Sequence, residues 1–81
     1  MKSGLACALS AFTSMALKAR DGQKPKRTLV FIGTVDEEDF MRGAEAAIAD
    51  GWVTKDCWVL DTEPTNGRIE VAHKGRTWFE I

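Results

Sequence analysis

The chain has 81 residues, 44% of them apolar, with three Trp and four Phe. That allows one small domain with a marginal core and is too apolar for disorder. Formal net charge is −1 with acids and bases interspersed, which points away from nucleic acid and from anionic membranes as partners.

No apolar run approaches the ~20 residues of a membrane span. Gly4 to Leu17 is fairly apolar but lacks the charged start and small-residue cleavage pattern of a secretory leader. From Ser3 to Arg20 the spacing predicts a helix. Leu5, Leu9, Phe12, Met15 and Ala16, with Ala8 and Ala19 beside them, recur at three- and four-residue steps on one face. Ser3 can cap its start. Lys18 and Arg20 oppose the dipole in the last turn, and Gly22 suits the left-handed position just beyond. Gln23 to Arg27 is a polar connection whose Pro25 blocks helix continuation, and Lys24, Lys26 and Arg27 read as solvated.

Thr28 to Val35 is a continuous β-branched and apolar run, the pattern of a strand buried on both faces. A second helix is expected from about Phe40 to Asp50, with Met41, Ala44, Ala47 and Ile48 inward and Gly51 as its stop. Lys55 to Asp61 is the second expected strand, Thr62 to Gly67 a turn, Arg68 to Ala72 a third strand out of strict phase, and His73 to Gly75 a tight connection. Arg76 to Ile81 alternates cleanly as a fourth strand. The expected fold class is α/β, order α-β-α-β-β-β. A partial sheet has two parallel strands joined by a right-handed crossover helix, followed by a C-terminal antiparallel hairpin. Cys7 and Cys57 read as buried thiols, Trp52, Trp58 and Trp78 as core or edge packing, and His73 as structural or solvent-facing. Two widely spaced cysteines fit a reducing cytoplasm.

The most informative junction is Val35 to Glu38. Three consecutive acids, Asp36, Glu37 and Glu38, follow the first apolar run, and Asp61 and Glu63 follow the run Cys57 to Leu60. Acids stacked at a strand end need a positive charge beside them, and a metal ion is the simplest candidate. Parallel neighbours would bring both clusters to one rim, where open α/β sheets bind ligands. Carboxylates suit Zn, Mn, Mg or Ca, and one acid beside a metal-bound water can take its proton. Equally, Asp36 to Asp39 stand where anions favour a helix start.

Four elements follow one another along the chain: Met1-Lys2-Ser3-Gly4, Val35-Asp36-Glu37-Glu38, Glu63-Pro64-Thr65, and Ala72 to Gly75 with Thr77 to Ile81. Together they resemble the dinuclear zinc aminoacylase and carboxypeptidase family, which includes acetylornithine deacetylase, succinyl-diaminopimelate desuccinylase and glutamate carboxypeptidase. Met1-Lys2-Ser3-Gly4 leading into an Ala-rich helix resembles the segment after the family's metal-bridging aspartate. Val35-Asp36-Glu37-Glu38 is similar to its acidic triplet, and Glu63-Pro64-Thr65 to its Glu-Pro-Thr element. Ala72 to Gly75 and Thr77 to Ile81 resemble the crossing into its smaller lid or dimerisation domain. The resemblance implies Glu37 as general base, Glu38 and Glu63 as ligands of the two zinc ions (cobalt or manganese in their place), and Asp36 as a supporting residue. It implies hydrolysis of an N-acyl amino acid or a C-terminal peptide amide. On this reading residues 1–75 are a fragment of a catalytic domain and residues 76–81 begin the lid strand. The bridging aspartate would precede Met1, and the His-x-Asp element and late histidine ligand are not in this chain. Phe40 and Met41 replace glycines that commonly follow the triplet, with Gly43 kept. The chain alone is therefore expected to be inactive, to bind no metal firmly and to self-associate through exposed strand edges. The alternative is a non-catalytic small α/β binding or interaction module. A phosphoryl-transfer domain is a weaker third reading, without a Gly-rich phosphate loop.

Overall fold

The computed structural model describes residues 2–75, 77, 79 and 80. Among them are two helices, α1 (Lys2–Arg20) and α2 (Arg42–Ala49), connected and followed by irregular chain.

Both helices end on the same local device. In each, the residue two beyond the last helical one is a glycine with positive φ, Gly22 at 90° and Gly51 at 78°. Gly22 N–H donates to the Ala19 carbonyl at 3.1 Å and Gln23 N–H to Lys18 at 2.9 Å. Gly51 N–H donates to Ile48 and Trp52 N–H to Ala47, both at 3.0 Å. Each pair is the double closure of a Schellman motif. Lys18 and Arg20 lie in the last turn of α1 as expected. Ser3 does not cap α1; it lies inside the first turn.

Gly4, Ala8, Phe12, Met15 and Ala19 form the less exposed stripe of α1. The chain doubles back along that stripe. The Phe12 and Phe31 rings stand 5.8 Å apart, tilted by 42°. Pro25 and Leu29 close an apolar cleft of about 160 Å³ against Phe12, Met15, Ala16 and Ala19. Leu5 and Leu9, expected on the packed face, are 46% and 48% exposed. In α2, Ala47 is the one buried side chain among the described residues, whereas Met41 and Ile48 point outward.

The α/β expectation is overturned: among the described residues there is no strand and no sheet. Thr28–Val35, Lys55–Asp61 and Arg68–Ala72 run without ladder partners, and the fourth expected strand includes Arg76, Trp78 and Ile81, which lie outside the described residues. The physical reason is cover. A strand apolar on both faces needs neighbours at both edges and layers above and below, and two helices do not supply them. Val35, Leu60 and Val71 are accordingly 72%, 89% and 96% exposed. The expected turn does form: Asn66 and Gly67 both have positive φ, and Arg68 N–H donates to the Thr65 carbonyl at 3.2 Å. The segments it joins still do not pair.

Surface area measures the same shortfall. The chain exposes 8168 Å², where a folded chain of its mass exposes about 4,800 Å² and an unfolded one about 13,000 Å². Its radius of gyration is 15.2 Å, between the ~12 Å of a compact chain this long and the ~28 Å of an unfolded one. No helix among the described residues is long and apolar enough to cross a membrane.

Candidate functional site

The acids Asp36 to Asp39 lie on a loop pinned shut at its base. Asp36 and Met41 both take left-handed backbone, φ 65° and 58°, which turns the chain sharply at each end. Met41 N–H donates to the Asp36 carbonyl at 2.7 Å, and Gly43 N–H to the Val35 carbonyl at 3.3 Å. The second bond satisfies one of the open donors at the start of α2. Met41 is the N-cap residue and makes no side-chain cap bond. Main chain from Val35 supplies that partner in its place.

The approach of Val35 to α2 is possible because residue 43 is glycine. A Cβ there would lie 2.6 Å from Val35 N and 2.7 Å from Val35 O, both immovable backbone atoms.

Arg42 holds the loop from the helix side. Its Nε lies 3.3 Å from Asp36 Oδ2, and its guanidinium stands 4.9 Å from the centroid of the Phe40 ring. Asp36 Oδ2 is buried and accepts no aligned hydrogen bond among the described residues, so the ion pair is its electrostatic compensation. The junction calls for a positive charge, and in this structure Arg42 provides one. The sequence signal for it is a base six residues beyond Asp36, a spacing that brings the two together only once the loop has turned. Glu37, Glu38 and Asp39 sit on the loop itself and have interactions of their own.

Glu63 lies well down the chain, before the Asn66-Gly67 turn, and is exposed. Thr65, beside it, turns its hydroxyl to donate to the Arg68 carbonyl at 2.6 Å. The structure thus brings Asp36, Glu37 and Glu38 onto one loop and leaves Glu63 in a separate segment. Among the described residues no group of three or more His, Cys, Asp or Glu side chains is placed to hold a metal ion. His73 is exposed, its Nδ1 2.9 Å from the Lys74 carbonyl oxygen.

Neither thiol is buried, contrary to expectation: Cys7 and Cys57 are both free and exposed. Trp52 and Trp58 are 61% and 97% exposed rather than packed, and Trp78 lies outside the described residues. Burial tendencies of Cys and Trp presuppose a core to enter. Cys57 closes a short turn, its N–H donating to the Thr54 carbonyl at 3.0 Å. Its Sγ lies 3.4 Å from Thr54 Oγ1 and 3.5 Å from Thr54 N. The Thr54 side-chain contact, then the backbone one, hold the thiol below its ordinary pKa, with Asp56 opposing. The thiolate forms at lower pH than in an unstructured chain. Thr54→Val should therefore move the midpoint of the iodoacetamide rate–pH profile of Cys57 upward; an unmoved midpoint would deny the hydroxyl its role.

A scan against protein-family models found none that matches, and neither the curated proteins nor the solved structures contain a match to this chain.

Proposed function

We propose that the chain is a segment of a dinuclear zinc amidohydrolase catalytic domain, contributing acids to a site completed by polypeptide beyond these 81 residues. Its substrates would be N-acyl amino acids or C-terminal peptide amides. The observation that carries this reading is the ordered set in the sequence: Met1 to Gly4, Asp36-Glu37-Glu38 and Glu63-Pro64-Thr65, in family order along one short chain. The large exposed apolar surface supports it, since Trp58, Leu60, Ile69 and Val71 are each at least 89% exposed and suit burial against further chain. Glu37 takes the base role on this reading, Glu38 and Glu63 the ligand roles, and Asp36 steadies the loop through Arg42.

The Asp36–Arg42 pair favours the rival reading, an interaction module in which the acids only shape the loop before α2. A chimera separates the two. Residues 1–81 replace the corresponding segment of an acetylornithine deacetylase, and hydrolysis of N-acetylamino acids is assayed with zinc or cobalt. Turnover by the chimera, with none by the chain alone, supports the hydrolase reading. A soluble, helical chimera that hydrolyses nothing supports the module.

A further inference from the structure

Acids and bases alternate locally, but their balance differs sharply along the chain. Residues 1–35 hold six bases and one acid, whereas residues 36–81 hold five bases and eleven acids. One half is therefore +5 and the other −6. The Arg42–Asp36 and Lys55–Asp56 ion pairs both lie within the acidic half and leave that imbalance intact.

Helix α1 lies in the basic half and is exposed along most of its length. From Ser3 to Leu17 it has no charged residue at all, a composition suited to a helix covered on more than one side. Away from the Phe31 contact its outer face is an open, mostly apolar surface of Ala6, Leu9, Ser10, Thr13, Ser14 and Leu17. Lys18 and Arg20 follow at its C-terminal end. The acidic half offers the complement. Trp58, Val59 and Leu60 are three consecutive apolar residues, 97%, 69% and 89% exposed, followed at once by the exposed acids Asp61 and Glu63.

We propose that in the chain by itself, without the further polypeptide that would cover Trp58 and Leu60 and complete a zinc site at Glu63, a second copy of this chain covers that face. Trp58 to Leu60 of each copy dock on the outer face of α1 of the other, and Asp61 and Glu63 meet Lys18 and Arg20. The dimensions agree. Leu9 to Leu17 runs about 12 Å along the helix. Trp58 to Leu60 covers about 7 Å when extended, which leaves the two acids beside the basic last turn. Because each copy carries both patches, the contact is reciprocal and closes as a two-fold dimer. The surface needed is at hand: the chain exposes about 3,300 Å² beyond a folded chain of its mass, and a standard interface takes about 800 Å² from each partner. A net charge of −1 opposes association little.

Sedimentation velocity on the full chain tests this. The expected species is a dimer at low salt, with Kd rising about tenfold or more at ~0.5 M NaCl. Lys18→Glu/Arg20→Glu and Asp61→Lys/Glu63→Lys should each be monomeric alone. Mixing the two should restore the dimer, since both contacts are then again opposite in sign. Far-UV circular dichroism of each variant confirms α1. A chain that stays monomeric would overturn the proposal, as would open-ended assembly that strengthens with salt. Failure of the mixed variants to pair would do the same.

Discussion

Gly43→Ala should loosen the acidic loop from α2, although Ala is the better helix former. In an unobstructed helix the substitution gains about 1 kcal/mol. Here the added methyl meets Val35 N and O at 2.6 and 2.7 Å and the Thr34 Cβ at 3.0 Å. Main chain cannot swing aside as a long side chain would, so Val35 must retreat and its 3.3 Å bond from Gly43 N–H breaks. Overpacking of this kind costs about 1–3 kcal/mol, which outweighs the propensity gain. Amide hydrogen exchange at Met41 and position 43 reads the outcome directly. Exchange should accelerate about tenfold, the equivalent of ~1.4 kcal/mol in local opening, while α1 amides are unaffected. Greater protection at Met41 together with higher helix content would show that the Val35 contact is absent in solution.

Within the deacetylase chimera, Glu37→Gln should separate from Glu38→Gln and Glu63→Gln. A general base contributes about 10²–10⁴-fold to rate, so Glu37→Gln should lower kcat by about that factor while zinc content stays constant. Ligand substitutions should instead lower the zinc retained after dialysis, with activity following the metal. Arg42→Gln touches none of the reacting groups on this assignment. It leaves the buried Asp36 Oδ2 without its cation and should loosen the loop, yet leave kcat within a fewfold. Equal, small effects from all four substitutions would place the acids outside the chemistry.

The residues also explain which features could be read from sequence. Helix ends were legible because they are local: Gly22 and Gly51 sit where the Schellman closures need positive φ. The Asn66-Gly67 turn was legible for the same reason. Strands were not, because Thr28–Val35 has strand-like residues but acquires a ladder only from a distant partner, and none forms. The acidic junction was half legible. That Asp36 needs a cation followed from charge alone, whereas its pairing with Arg42 depends on a reverse turn through two left-handed residues. Asp36 and Met41 are not residue types that announce such a turn. The convergence of Glu63 on Glu37 and Glu38 was inferred from a parallel sheet, and without the sheet it does not follow.

In the chain by itself Glu63 stands on a different segment from Glu37 and Glu38. Equilibrium dialysis of the metal-free chain against zinc is the direct test. With donors on separate segments, retention should be weak, with a dissociation constant of about 10 µM or above, far from the affinities of assembled structural zinc sites. Glu38→Gln and Glu63→Gln should change it little. Retention of zinc at nanomolar free concentration, abolished by either substitution, would show that the chain assembles the site alone and would contradict the account.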